Sequence, residues 1–267
     1  MDIIPQLMIY EKGAYWVKET DLNGWMDGLV LPELIPGRLI KRYKRFLADV
    51  RLETGEVVTA HCPNTGAMTT CSAPGQIVYL SSHDDPKRKL KYTWEFIRMP
   101  TSIVGVNTIL PNKLVRHSIE SGKLEAFAGY DEIRSEVRVG KNHRLDLMVT
   151  KKGDAPCYIE IKNCSLVIDG IACFPDAVTT RGRNHLIALQ QLASSGHRTV
   201  MFFLVNRMDA ARFKPADHID PAYALELRQA RKNGVEIMCY DVSIALNHET
   251  RNGPNRISLR RPLPCEL

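Results

Sequence analysis

Residues 143–163, HRLDLMVTKKGDAPCYIEIKN, place charged side chains in two runs that otherwise have the composition of buried strands. Asp146, Glu160 and Lys162 alternate with aliphatic residues, and successive side chains of a strand point to opposite faces. The linker TKKGDAP contains Gly153 and predicts a hairpin turn. An antiparallel hairpin centred on Gly153 places Asp146 directly opposite Glu160.

A third carboxylate extends this pattern. The run SEVRV is joined to RLDLMV by the tetrapeptide GKNH, and a turn centred on Lys141 pairs Glu136 with Asp146. Three carboxylates then lie side by side on neighbouring strands, where like charges repel one another. A divalent cation would remove this repulsion, and oxygen ligands suit Mg²⁺ or Mn²⁺. A solvated sheet face explains the same residues, and the pattern alone leaves both readings open.

Composition describes a globular chain of one or two domains. The 267 residues are 44% hydrophobic and 25% charged. No apolar run approaches the ~18 residues of a membrane span, and the start MDIIPQLMIYEKG lacks the features of a secretory signal. Seven cysteines without a CxxC pair argue against a disulfide framework and a zinc site. These features predict a cytoplasmic protein that does not bind membranes.

The net charge of +6 is unevenly distributed. Residues 1–33 contain two basic and six acidic side chains, and the remainder contains 34 basic and 24 acidic ones. A basic body favours a polyanionic partner, although a solvated basic surface accounts for charge alone equally well.

Three segments are predicted along the chain: an acidic N-terminal extension (1–33), a small all-β barrel or sandwich (34–100) and an α/β unit (101–267). In the last segment, RTVMFFLV and VEIMCY have the composition of buried strands. DAVTTRGRNHLIALQQLASSGH predicts a helix that is capped by Thr179 or Thr180 and ends at Gly196. DPAYALELRQARKNG predicts a second helix, with Asp220 as its N-cap and Pro221 at its first position.

The charged hairpin resembles the PD-(D/E)xK nuclease signature, with Leu145 in place of the proline that precedes the aspartate. The runs RYKRFLADV, HCPNTGAM, GVNT, SEVR, RLDLM, CYIEIKN, FPDAVTTRG and GVEI together resemble the sugar fermentation stimulation protein A family. The resemblance implies an α/β (α+β) architecture. An OB-like β-barrel (34–100) would precede a restriction-endonuclease-like domain (101–267) with a mixed central sheet flanked by helices. It also implies a bacterial or archaeal cytoplasm and non-specific DNA binding. The extension 1–33 lies outside the family pattern.

The resemblance assigns roles to residues of the hairpin. Asp146 and Glu160 correspond to metal-binding carboxylates, Lys162 to the motif lysine and Glu136 to an additional upstream acid; the expected ion is Mg²⁺ or Mn²⁺. Asp146, Glu160 and Lys162 form the expected catalytic set. The HCPNTG loop, which contains His61, Cys62, Asn64 and Thr65, receives no chemical role, and a turn built on its proline and glycine is favoured.

Basic and aromatic side chains form the predicted nucleic-acid-binding set. Its members are Lys41, Arg42, Lys44, Arg45, Lys87, Arg88, Lys89, Lys91, Tyr92, Trp94, Arg181 and Arg183. A solvated strand edge is the alternative for the barrel residues, and pairing with Asp176 is the alternative for Arg181 and Arg183. His185 shares a helix face with Arg181. No helix-turn-helix pattern is present, so the expected partner is DNA bound mainly without sequence preference. RNA stays open as a partner, and a homodimer is one option for the oligomeric state.

Two functions compete at this point. The first is a divalent-metal-dependent nuclease that hydrolyses phosphodiesters. The second is a catalytically silent DNA-binding regulatory protein linked to sugar, especially maltose, metabolism. The intact Asp, Glu and Lys set favours the first, and the sequence leaves open whether the protein is an enzyme.

Overall fold

The computed structural model describes residues 28–140, 143–250 and 253–267. The predicted extension is therefore described only from Gly28 onward, and Lys141, the centre of the second predicted turn, lies outside the described residues. The strands are β1 (Leu29–Val30), β2 (Ile35–Tyr43), β3 (Leu47–Leu52), β4 (Val57–His61), β5 (Ile77–Ser82), β6 (Tyr92–Arg98), β7 (Ile103–Gly105), β8 (Glu132–Val139), β9 (His143–Thr150), β10 (Cys157–Cys164), β11 (Leu166–Ile168), β12 (Ile171–Phe174), β13 (Arg198–Val205), β14 (Arg212–Pro215), β15 (Glu236–Ala245) and β16 (Arg256–Pro262). The helices are α1 (Leu110–Glu120), α2 (Thr180–Ser194), α3 (Pro221–Lys232) and α4 (Asn247–Thr250), with a 3₁₀ turn at Glu125–Phe127.

The N-terminal unit is a closed barrel. Its sheet has the order β4-β3-β2-β5-β6-β7, and a parallel pairing of β4 with β6 closes five of these strands into a ring. Alternating residues such as Ala48 and Val50 point inward, and Trp94 fills the centre with none of its surface exposed. The predicted OB-like barrel is confirmed.

The C-terminal unit is a mixed sheet with helices on both faces, as predicted. The order is β1-β16-β15-β13-β10-β9-β8; β10, β13 and β15 are parallel to one another, and the other neighbours are antiparallel. One apolar cluster joins α1 to Leu147, Ile159 and Phe202. A second cluster joins α2 and α3 to Phe203 on the opposite face.

Two helices begin at the predicted caps. The Thr179 hydroxyl accepts a hydrogen bond from the Gly182 N–H at 3.0 Å and starts α2, and Asp220 accepts one from the Tyr223 N–H at 2.9 Å and starts α3. Helix α1 is absent from the sequence prediction, as is the small sheet β11-β12-β14.

The barrel and the mixed sheet are in direct contact. Two strands also pair with a sheet outside the segment that the sequence predicted for them. Strand β7 extends the barrel sheet beyond residue 100, and β1 pairs with β16 of the C-terminal sheet. At the contact, the Met68 N–H donates to Asp176 at 3.1 Å and the Gly105 N–H donates to the Asn206 carbonyl at 2.8 Å. Within the described residues, no helix is long and apolar enough to cross a membrane.

Candidate active site

The strand register around the charged hairpin agrees with the sequence prediction. Strands β9 and β10 pair Ile159 with Leu147 and Tyr158 with Met148, which is the register that places Asp146 opposite Glu160. Strands β8 and β9 pair Ser135 with Leu147 on one side of Glu136 and Val137 with Leu145 on the other.

The regular ladder between β9 and β10 ends where the acidic residues begin. Its last pair is Ile159 with Leu147, and the next position holds Asp146 and Glu160. Leu145 packs in the cluster on the α2 face, whereas Leu147 packs in the cluster on the α1 face. The face alternation expected for β9 therefore fails between these two leucines, on either side of Asp146.

Asp146 takes over hydrogen bonds that the ladder would otherwise make. Its Oδ2 accepts from the Ile161 N–H at 2.8 Å, and its Oδ1 accepts from the side-chain amide of Asn112 on α1 at 2.8 Å. The side chain is half-buried. Burial first, and the negative charge of Glu160 second, raise the pKa of Asp146 from 3.8 to about 6.

Glu160 is 2% exposed and faces the N-terminal half of α2. Its Oε1 contacts both the Lys162 ammonium and Nδ1 of His185, and these two nitrogens are 3.3 Å apart. Burial opposes ionisation of this carboxyl. The charge of Lys162 and the hydrogen bonds from His185 and Lys162 outweigh burial, so the pKa of Glu160 is lowered. An ionised carboxylate here requires the hydrogen of His185 on Nδ1.

The second oxygen of Glu160 is the unusual atom of the site. Oε2 is buried and has no hydrogen-bond partner among the described residues. A buried carboxylate oxygen normally accepts at least one hydrogen bond or binds a cation, because leaving it unpaired is costly. An oxygen-binding cation next to Asp146 would satisfy this atom, so the donor set fits a divalent ion.

Glu136 is not brought to this pair. Its side chain is 53% exposed and lies 2.5 Å from the Arg144 guanidinium, and its backbone φ of 58° departs from the strand geometry on either side. No group of three His, Cys, Asp or Glu side chains within residues 28–140, 143–250 and 253–267 is arranged to hold a metal ion. The structure therefore places two of the three predicted carboxylates together.

An open cleft of about 680 Å³ adjoins the site on the α2 side. His143 and Arg144 of β9 form one wall, and Arg181, Asn184 and His185 of α2 form the other. Arg181 is exposed, and neither it nor Arg183 forms an ion pair with Asp176 in the described structure. Basic groups thus line the approach to Glu160.

The barrel members of the predicted nucleic-acid set occupy different environments. Lys44, Arg45, Lys87, Arg88, Lys89 and Lys91 are exposed, and so is Lys41, which pairs with Asp49 at 3.6 Å. Tyr92 is partly exposed beneath the Lys91 ammonium. Trp94 corrects the expectation of base stacking, because its ring is fully buried and its indole N–H donates to the Phe96 carbonyl at 2.9 Å.

Arg42 holds the HCPNTG loop together. Its guanidinium donates to the backbone carbonyls of Arg45, Asn64, Gly66 and Ala67 at 2.8–3.2 Å. These hydrogen bonds stabilise the loop conformation. They also use much of the donor capacity of Arg42, which binding a phosphate would need.

Comparisons with known proteins match both units of the chain. The family model "SfsA N-terminal OB domain" matches residues 40–106, and the model "Sugar fermentation stimulation protein RE domain" matches residues 109–248. The chain belongs to the sugar fermentation stimulation protein family. The segment 1–33 lies outside both matches.

Relatives in this family are similar over nearly their whole length. The sugar fermentation stimulation protein homolog of Geotalea daltonii is 50% identical over 216 residues, which are 81% of this chain and 93% of the relative. That of Geobacter sulfurreducens is 48% identical over 237 residues, 88% of this chain and 98% of the relative. A solved structure, Pyrococcus furiosus SfsA in complex with Ca²⁺, is 27% identical, has a TM-score of 0.81 and covers 91% of this chain and 100% of its own.

Sequence reasoning missed Asn112, and it did not assign His185 a role. Asn112 holds Asp146 from α1, a helix that the sequence signals through Pro111 in its first turn and through Leu110, Leu114 and Val115 on one face. His185 is 5% exposed and contacts Glu160 directly. Its polar partner could not be inferred from the spacing along α2, because that partner lies on another element.

Proposed function

We propose that this protein binds nucleic acid and hydrolyses phosphodiester bonds with the aid of Mg²⁺ or Mn²⁺. The observation that carries the proposal is the buried, unpartnered Oε2 of Glu160 next to the half-buried carboxylate of Asp146. Mg²⁺ is commonly bound by one or two carboxylates, with water and substrate phosphates as its other ligands. A pair of carboxylates is therefore sufficient, and Glu136 would join them only by leaving Arg144.

The Ca²⁺ complex of the Pyrococcus furiosus relative supports this choice of ligand class. Ca²⁺ and Mg²⁺ are both hard cations that take oxygen ligands, and they differ mainly in size and coordination number. The relative and this chain share the fold over 91% of this chain.

Each residue of the site has a distinct task. Asp146 and Glu160 would hold the ion, which supplies Lewis-acid polarisation of the phosphate and activation of water when bound. Lys162 places a positive charge beside the Glu160 carboxylate. This charge would stabilise the negative charge that develops on the phosphate. Asn112 keeps Asp146 in place, and His185 keeps Glu160 ionised and oriented.

The surrounding charges select the substrate class. Arg144 and Arg181 flank the cleft, and exposed basic residues of the barrel extend the positive surface. Phosphate contacts of this kind attract any nucleic-acid strand and carry no sequence information. DNA bound without sequence preference is the proposed substrate, and RNA is tested beside it.

The seven cysteines are all free thiols, which fits a protein of the reducing cytoplasm.

The decisive experiment incubates the purified protein with end-labelled single- and double-stranded DNA and RNA, with EDTA, Mg²⁺ or Mn²⁺. We expect metal-dependent cleavage that Glu160→Gln abolishes. The matched control Glu136→Gln removes one exposed carboxylate from the same sheet and should retain most activity. Binding without cleavage under every metal condition would instead favour the silent DNA-binding regulator.

A further inference from the structure

A second cavity lies on the barrel, where the ends of β4, β5 and β6 meet the start of α1. Its volume is about 370 Å³, within the range of small-molecule sites. It shares no lining residue with the cleft beside Glu160. His61 and Pro63 bring the HCPNTG loop to this cavity, and Asn107 brings the GVNT run.

The polar wall of this cavity is a connected network. The only carboxylate in the lining, Glu95, accepts from the Ser81 hydroxyl at 2.6 Å and from the Asn107 amide at 2.8 Å. His83 Nε2 lies 3.1 Å from the hydroxyls of both Ser81 and Thr93. Because its members hold one another, the wall is fixed before any ligand arrives.

Two cationic groups in the lining have spare capacity. Arg88 donates to the Thr93 hydroxyl at 2.9 Å, which leaves most of its N–H donors unused within the described residues. Neither Arg88 nor Lys113 forms an ion pair with any described carboxylate. Arg88 and Lys113 therefore face a single carboxylate whose two oxygens are already engaged. A site with this balance selects an anion.

Apolar side chains form a second part of the lining, the apolar wall. It is made by the side chains of Leu31, Pro32, Leu34, Phe96 and Leu110. A bare inorganic anion would leave this wall uncovered, whereas a neutral sugar would leave the cations unpaired. The volume admits one nucleotide-sized group and excludes a duplex.

We propose that this cavity binds a phosphate monoester attached to a planar or apolar group, the chemistry of a mononucleotide. The phosphate lies against Arg88 and Lys113, and the base or a comparable ring lies against the apolar wall. A free mononucleotide and the phosphorylated end of a strand both present this chemistry. The cavity contains none of the proposed catalytic residues, and binding there does not depend on cleavage.

Calorimetric titration of the full chain with AMP, adenosine and inorganic phosphate tests the pocket. AMP should bind saturably and at least about tenfold more tightly than either of the others, since only AMP satisfies both walls. Arg88→Ala and Lys113→Ala should each weaken AMP binding about tenfold. Both side chains are exposed, so the fold should tolerate the changes. Lys152→Ala, which removes an exposed charge from the β9–β10 turn, should leave AMP binding unchanged.

Short oligonucleotides separate the two sources of the ligand. Competition with AMP by a 5′- or 3′-phosphorylated tetranucleotide, but not by its unphosphorylated form, assigns the pocket to strand ends. Binding of AMP without such competition assigns it to free nucleotides. The proposal is refuted if AMP does not bind at millimolar concentration, or if adenosine binds equally well. It is also refuted if Lys162→Ala weakens AMP binding while Arg88→Ala does not, because AMP would then occupy the candidate active site.

Discussion

Replacing Asp146 with Asn should stabilise the metal-free protein at neutral pH. The carboxylate is half-buried, and it lies in the field of the ionised Glu160. An Asn side chain has nearly the same shape, and its oxygen can still accept from the Ile161 N–H. Its NH₂ group can donate to Asn112 once the Asn112 amide turns over. The substitution thus removes a charge and keeps the hydrogen bonds.

The size of the effect follows from the pKa of Asp146, which folding raises from 3.8 to about 6. Each pKa unit corresponds to about 1.36 kcal/mol, so the ionised form costs the folded state up to about 3 kcal/mol. Between these two pKa values the folded state binds more protons than the unfolded state. The parent protein therefore loses stability as pH rises from about 4 to about 6. The gain in Asp146→Asn should be full at pH 7.5 and nearly absent at pH 4.

Urea denaturation in EDTA at several pH values measures this difference in unfolding free energy. Glu136→Gln is the control, since it removes an exposed carboxylate and should leave the free energy nearly unchanged. Saturating Mn²⁺ should stabilise the parent by mass action and should no longer stabilise Asp146→Asn. Equal stability of parent and variant at pH 7.5, or a gain that is the same at pH 4, would refute the reasoning.

Other predictions concern single contacts. Lys162→Ala should keep Mn²⁺-induced stabilisation in scanning fluorimetry and lose cleavage by about 100-fold or more. Filter binding should show log K falling linearly with log salt, and Arg181→Ala should reduce the slope by about one; a salt-independent K would contradict this. Asp220→Ala should cost about 2–4 kcal/mol in urea denaturation, because Asp220 caps α3 and accepts the N–H before α2. Gly105→Ala should lower the urea midpoint, since a Cβ there would lie 2.2 Å from the side chain of Asn206.

The sequence predicted the parts of this fold that local rules control. The turn around Gly153 sets the β9–β10 register, so counting residues from the turn gives the observed pairs. The caps at Thr179 and Asp220 follow from side-chain hydrogen bonds within one turn of the chain. Such features depend on near neighbours and can be read without tertiary structure.

Features set by distant contacts were missed or misjudged. Trp94 was expected to meet bases because basic residues surround it in the sequence, yet the closed barrel places its ring in the core. Glu136 has the right register, but its backbone turns away and its carboxylate pairs with Arg144. The Asn112 contact joins α1 to a strand 34 residues later, and no local pattern encodes that pairing.

The local structure explains how a buried sheet tolerates Asp146, Glu160 and Lys162. Lys162 and His185 compensate the charge of Glu160, while a backbone N–H and Asn112 compensate Asp146. Each carboxylate is thus stable enough for the chain to fold, yet one oxygen of Glu160 stays unpaired and folding raises the pKa of Asp146. A solvated sheet face would show neither feature, because water would satisfy both groups. The unpaired oxygen and the raised pKa both destabilise the folded state at the position where a cation would bind. This arrangement is expected of a site that gains its last ligand after folding.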